Sequence, residues 1–335
     1  MSANEKRQQH LLSGKRVIVA GAGIAGLSFV RALQRDWPPD LPAPQISVYE
    51  RDPRHLPPER GNYSLALRSG KYSSGLESLQ KLGLIDEVYA ARAVGSDGPV
   101  LVRDRDWRTV LAVKETQPMD DLPCGRMRIT RHAIRECLIQ GVETTTKIYW
   151  MLACTSAVTM PDGTVEVTLS NGSKTTCDLL VVADGASSKL RGLLRPNDNL
   201  QYAGAVMIGG QATFSDVSVP IELASGGGGP VLGGDGHGLV VFPTGVNSWV
   251  WFVTLCSPSP RAAVKSDNDL KNQKYIMDEA RREGKVFGAA FDQLLAATEP
   301  ETMKILNAQD KPPIEHSGLS ENPYIFVGDS NHAVR

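Results

Sequence analysis

Arg16-Val-Ile-Val-Ala-Gly21-Ala-Gly23-Ile-Ala-Gly26-Leu27 is the stretch that decides the fold. Val17 to Val19 form a β-branched run that ends in Ala20 and reads as a strand buried on both faces. Beyond Gly21 and Gly23 the chain enters an amphipathic segment with Ile24, Leu27, Val30 and Leu33 at helical spacing. Strand, glycine turn and helix in this order are the setting that Gly-x-Gly-x-x-Gly requires. Gly21 permits the tight turn, Gly23 lets a pyrophosphate approach the main chain, and Gly26 lets helix and strand pack closely. The free N–H groups and the positive dipole end of the helix then face the phosphates.

Three glycines also occur in other α/β turns, so the next strand has to discriminate. Gln45-Ile-Ser-Val-Tyr-Glu50 is a short strand ending in an acid about 24 residues beyond Gly26, where roughly 20 is usual. The loop Trp37-Pro-Pro-Asp-Leu-Pro-Ala-Pro44 takes up the difference. Glu50 is placed to accept from a ribose hydroxyl, and a dinucleotide site is the better reading than a solvated strand end.

A chain of 335 residues holds one large or two ordinary domains. With 41% hydrophobic and 22% charged residues it has the composition of a globular protein. A net charge of −1 gives no electrostatic reason to expect nucleic acid or an anionic membrane. The five cysteines (Cys124, Cys137, Cys154, Cys177, Cys256) are scattered, without a Cys-x-x-Cys pair, which points to reduced thiols and not to a disulfide frame or zinc site. Met1 to Lys15 carries no apolar signal core, and no run reaches the roughly 18 apolar residues of a membrane span.

Further along, helical patterning is expected over Ser74–Leu82 and Ile85–Val94, and strands of a small sheet over Pro99–Arg103 and Thr109–Val113. Thr130 is a candidate N-cap for a helix from Arg131 through Gln140. Pro161-Asp-Gly163 and Asn171-Gly172 are turn signals around Thr164–Leu169 and Lys174–Cys177, a hairpin by its chemistry. Asp178-Leu-Leu-Val-Val-Ala-Asp184-Gly185 is a buried strand running into a turn, with a helix expected from Ser187 or Ser188. From about Gln201 alternating strands dominate, over Tyr202–Phe214, Gly238–Phe242 and Ser248–Cys256, which fits a mostly antiparallel sheet. A charged helix is expected over Asn268–Gly284, and the last strand, Tyr324–Val327, runs into Gly328-Asp329.

Gly-x-Gly-x-x-Gly at 21–26, Asp184-Gly185 after one buried strand and Gly328-Asp329 after another form an ordered trio. Together they resemble the single-component FAD-dependent monooxygenases of the para-hydroxybenzoate hydroxylase type. The likeness extends to tetracycline-degrading and fungal biosynthetic flavin monooxygenases and runs from about Lys15 to Arg335. It implies an α/β fold: a Rossmann-like FAD-binding domain of the GR2 type with an inserted, mostly antiparallel β-sheet substrate domain. The expected division is a disordered tail over 1–14, the FAD-binding domain over 15–196 with a small inserted sheet at about 62–115, the substrate domain over 197–310, and a return to the FAD-binding domain over 311–335.

The resemblance also implies roles. Gly21, Gly23, Gly26 and Glu50 would hold the ADP half of FAD, with Arg51 near the adenosine. Arg131, opening the helix after the first small sheet, would reach the flavin side, with Arg135 one turn on along the same face. Asp329 would bond the ribitol, and Asp184-Gly185 is associated with positioning FAD and docking the nicotinamide cofactor. Second readings stand beside these: Arg131 as a helix-start charge paired to an acid, Asp184 as a helix cap, Asp329 as a turn residue. His132 and His332 read as structural or solvent-exposed, and no catalytic residue or metal ligand is assigned. Trp249 and Trp251 have the spacing of a flavin-halogenase motif, but Phe252-Val253 stands where Ile-Pro is expected, and strand alternation explains the pair better.

The activity implied is cytoplasmic FAD-dependent monooxygenation, using NAD(P)H and O2 to hydroxylate or epoxidise an aromatic or polyketide-like small molecule, with secondary metabolism as its setting. The flavin carries the hard chemistry, and the protein binds it, excludes water and orients the substrate. The sheet from about Gln201 to Leu306 would roof the cavity, with Met207, Gln211, Phe242 and Trp251 as candidate lining positions and the inward alternate left open. There is no second Gly-x-Gly-x-x-Gly, which argues against the two-dinucleotide class. The Pro-x-x-Gly-x-Gly segment that usually comes after Gly-Asp has no counterpart before Arg335, so the resemblance implies either a C-terminally truncated chain, with weakened FAD retention and impaired hydroxylation, or a protein that manages without the segment. The alternatives are a flavin-dependent oxidoreductase without oxygen insertion and a catalytically silent paralogue.

Overall fold

A computed structural model describes residues 10–56, 63–70, 74–93, 99–113, 117–119, 121–214, 219–224, 228–266, 269–316 and 322–333. The chain divides into two compact units. The first takes the chain up to His55, Arg135–Gln201 and the residues from Asp310 on; the second takes Leu56–Ile134 and Tyr202–Gln309.

The first unit is built on a five-stranded parallel sheet in the order Tyr324–Phe326, Leu179–Val182, Arg16–Ala20, Gln45–Tyr49, Lys147–Tyr149. The strand Val17–Ala20 is buried along its whole length, as its β-branched run demands. The register sets Ala20 beside Tyr49 and Val182, and Val182 beside Phe326. Four strands therefore end level, and the residues just beyond them share one carboxyl edge. The hairpin expected from its turns forms as Val165–Leu169 with Lys174–Cys177, and Cys154–Thr159 adds a third strand. Ala157, Val165, Val167 and Leu169 pack with Ile18, Leu180 and Val182 in one apolar cluster. Burial pushes the Cys154 and Cys177 thiols up to about 12, which makes both inert at neutral pH.

Residues 10–14, part of the stretch read as a tail, form turns, with Gly14 N–H donating to Pro42 O at 3.0 Å and His10 set edge-on against Trp37. Residues 1–9 lie outside the described residues.

The second unit contains an eight-stranded sheet in the order Val264–Lys265, Lys304–Asp310, Gln201–Thr213, Ser248–Cys256, His237–Pro243, Gly229–Gly234, Val100–Asp104, Thr109–Val113. It is mostly antiparallel, and Val231↔Arg103 is a parallel pairing within it. The strands at 100–113 are not a small sheet of their own. They extend the large one, through a pairing across more than a hundred residues that local patterning does not register. A two-stranded ladder joins Ser64–Arg68 to Arg126–Thr130.

Helices Leu270–Gly284 and Gly288–Ala296 cover one face of the large sheet. Asp269 starts the first by accepting from the N–H groups of Lys271 and Asn272. Under them Trp249, Trp251, Val253 and Leu255 join Phe287, Phe291 and Leu294 in a single core. The opposite alternates, Val250, Phe252 and Thr254, are only part-buried.

Candidate functional site: the carboxyl edge of the parallel sheet

Gly21, Glu50, Asp184 and Asp329 each come directly, or within a few residues, after one of the level strand ends. In open parallel sheets this edge is where ligands bind. Gly21 has φ +115°, and a Cβ there would lie 2.4 Å from Ala183 O. A Cβ on Gly26 would lie 2.1 Å from Gly21 O. The first and third glycines are thus required by close packing, as the spacing predicts.

Gly23 is the N-cap of helix Ile24–Arg35, and no side chain caps that end. No acidic residue occupies the first turn either. The leading N–H groups of a three-turn helix are left for an external acceptor, and the dipole favours an anionic one. The Glu50 carboxylate accepts from Ala22 N–H at 2.7 Å with one oxygen and from Asp52 N–H at 2.9 Å with the other. Each oxygen keeps a further lone pair for a hydroxyl donor. Arg51 beside it is 66% exposed and lies 3.8 Å from Asp52. These residues fit an adenosine diphosphate group, which needs a close main-chain approach, uncapped donors and a carboxylate at the ribose.

The last motif comes to the same edge. A Cβ on Gly328, which has φ +60°, would fall 2.5 Å from Ala25 Cβ in the first turn of the helix. Asp329 opens a four-residue helical turn, is exposed, and its carboxylate has no partner among the described residues.

Three positions that sequence reasoning passed over or left without a role hold this edge together. Arg191 is buried and donates to Ser330 O at 3.0 Å and Ala186 O at 2.6 Å, tying the Asp184 loop to the Asp329 turn. Ser330 Oγ donates to Val182 O at 2.6 Å. Arg135, only 2% exposed, donates from Nε to Ala22 O at 3.1 Å and from Nη1 to Arg54 O at 3.3 Å. Spacing on its helix was the one available signal for Arg135; Arg191 and Ser330 had none, because their partners are backbone carbonyls, which no side-chain pattern marks.

Asp184 makes the contact its capping reading requires. It accepts a long bond from Leu190 N–H, 3.4 Å, as a cap would, while its other oxygen is buried without a partner. Burial raises its pKa above the ordinary carboxylate range, against the opposing pull of Ser188 and Leu190. Arg131 belongs to the second unit, where its N–H donates to Tyr63 O and Thr130 caps the helix through Ala133 N–H. Its side chain makes no ion pair among the described residues, so pairing to a nearby acid does not account for it.

In the second unit the register answers the question of alternates. Met207, Gln211 and Phe242 pair with Thr254, Val250 and Val250 on the face away from the helices. Trp251 is on the other face, fully buried against Phe291, with its indole N–H donating to Thr298 Oγ1 at 2.9 Å. It is a core residue and not a lining one. Phe242 is covered in turn by the Arg128 guanidinium 3.5 Å above its ring, which burial lowers to about 10.

A parallel sheet with a nucleotide-type edge, in one chain with a large, mostly antiparallel sheet, defines a flavoprotein architecture. No family model matches the sequence. The chain is 35% identical over 335 residues to the monooxygenase cfoF of Aspergillus candidus, covering 97% of this chain and 79% of that protein. It is 30% identical over 215 residues to a 2-heptyl-3-hydroxy-4(1H)-quinolone synthase of Mycobacteroides abscessus, covering 61% of this chain and 50% of that one. The crystal structure of Klebsiella pneumoniae HpxO complexed with FAD and uric acid shares the fold, with a TM-score of 0.73 at 19% identity over 97% of this chain and 75% of its own. The chain belongs to the FAD-dependent monooxygenases of the para-hydroxybenzoate hydroxylase type. FAD is the cofactor of this family, NAD(P)H is its typical co-substrate, and a monooxygenase takes O2. Among the described residues no helix is long and apolar enough to cross a membrane.

Proposed function

We propose that FAD lies along the carboxyl edge of the parallel sheet. Its diphosphate meets the Gly21-Ala22-Gly23 turn, Gly26 allows the helix to pack close, Glu50 accepts from the adenosine ribose, and Arg51 flanks the adenine. Asp329 accepts from the ribitol, and Arg131 reaches toward the flavin. The units then act as a nucleotide domain and a substrate domain. Bound FAD supplies the reductive activation of oxygen by NAD(P)H. The chain's own residues hold the cofactor, shield the reacting atoms from water and present an electron-rich carbon of an aromatic or polyketide-like molecule for hydroxylation or epoxidation. Its setting is secondary metabolism in the cytoplasm, in keeping with cysteines that form no disulfide among the described residues.

The observation that carries this reading is the convergence of four level strand ends, which sets Glu50 and Asp329, 279 residues apart in sequence, on one edge. Purified protein titrated with FAD should develop a bound-flavin spectrum. With NAD(P)H, 18O2 and a panel of phenols and aromatic polyketides, label should enter the product. A preparation that stays colourless with FAD removes the reading, and flavin turnover without label incorporation reduces it to an oxidoreductase.

A further inference from the structure

Resting on that reading of the large sheet as the substrate-bearing one, we infer that Lys304 and Gln211 form a recognition point for a ring-bearing substrate, Lys304 for an anionic oxygen (carboxylate, phenolate or enolate) and the Gln211 side-chain oxygen for a hydroxyl donor beside it. The two residues line a shallow, open depression on the sheet face away from the helices, whose enclosed part has room for little more than one water, so a ring would lie against it and not within it. Val250, Phe252 and Tyr63 give it apolar walls.

Lys304 is half-buried, and its ammonium has no carboxylate partner among the described residues. Its neighbour Ile305 points into the core, so Lys304 is directed to the opposite face. Its aromatic contact is the Phe252 ring, 5.7 Å from Nζ. Burial lowers the ammonium's pKa, and Lys265, its partner across the ladder, lowers it further. A cation held out of water beside a second cation is costly unless an anion completes it.

Gln211 adds a second unmet requirement. Its main chain is pinned, with N–H donating to Thr302 Oγ1 at 2.9 Å and C=O accepting from Glu299 N–H at 2.9 Å. Its side-chain oxygen is buried with no hydrogen-bond partner. An acceptor that lacks a donor and an ammonium that lacks an anion, lining one depression, are what a site for a hydroxyl next to an anionic oxygen leaves unmet.

The Phe252 wall has its own cause. Gly209 pairs with Phe252, and a Cβ on Gly209 would lie 2.3 Å from the Phe252 ring. Glycine there gives the ring the room it occupies beside the neighbouring strand, and the Phe252 side chain, with Lys304 over it, lines the depression.

The test is calorimetric titration of the full chain, with and without FAD, using two matched probe pairs: 4-hydroxybenzoate against its methyl ester, and 4-nitrophenolate against 4-nitroanisole. At least one anion should bind about tenfold more tightly than its neutral partner, the scale of one charge-assisted hydrogen bond. Lys304→Met should erase that preference and Lys304→Arg should keep it. The inference is overturned if neither anion is preferred, including the case in which nothing binds, or if Lys304→Met leaves the preference intact. Should Lys304→Met not fold, Lys304→Gln makes the same comparison. FAD binding, read from the flavin spectrum, separates the two failures: a chain that binds FAD but shows no anion preference loses only this inference.

Discussion

Gly328 lies against Ala25 so closely that a methyl group on the glycine would come within 2.5 Å of the alanine Cβ. The last motif of the chain is thereby packed onto the first turn of its first long helix. Gly328→Ala would force the two apart and also place a side chain at φ +60°, ψ −142°. The cost should be about 1–3 kcal/mol of stability, with FAD affinity lowered at least tenfold because both motifs move. Urea denaturation and flavin titration read the two effects separately.

Glu50 is bonded to the main chain on both oxygens, so its removal should do more than delete the proposed ribose contact. Glu50→Gln replaces one acceptor by a donor facing Ala22 N–H or Asp52 N–H. Stability should fall by about 1–2 kcal/mol and FAD affinity by tenfold or more. Unchanged flavin affinity would remove Glu50 from the site.

Burial is the largest influence on Asp184 and raises its pKa against the pull of Ser188 and Leu190. The folded chain therefore holds this proton more tightly than the unfolded chain. Its contribution to stability falls as pH rises from the ordinary carboxylate value through the raised one, and is level above that. Asp184→Asn has no proton to lose, so its stability relative to the wild type should climb across that window. Urea titrations of the apoprotein from about pH 4 to 8 check this; parallel profiles would contradict it.

Trp251 and Phe252 are neighbours in sequence on opposite faces of one strand. Trp251→Ala should cost about 3–5 kcal/mol and leave Thr298 Oγ1 without its donor, while leaving the choice among ligands unchanged. Phe252→Ala should alter ligand affinity with a smaller loss of stability. Thermal denaturation and calorimetry on the two variants distinguish the faces.

The nucleotide half was legible because its determinants are local. The Val17–Val19 run, the glycine spacing and Glu50 all fall within 35 residues (16 to 50), and each carries a specific backbone requirement. The strand pairing Val182↔Phe326 is not local, and the ordered motifs pointed to it only through family resemblance. The alternation of Ser248–Cys256 was illegible for another reason. Trp249 and Trp251 on one face and Val250 and Phe252 on the other are all apolar, so hydrophobicity does not choose between them. The choice is made by two helices that cover one face, and their docking is written elsewhere in the chain. Arg191 escaped notice because a buried arginine whose partners are carbonyls has no sequence partner of opposite charge to betray it.

The bracing of the glycine turn by Glu50, with Arg135 gripping Ala22 from the other side, bears on the kinetics of cofactor exchange. A turn already clamped by its own chain has little conformational freedom to surrender when a nucleotide docks. Variation in affinity among flavin and adenine nucleotides then falls chiefly on how long each one stays.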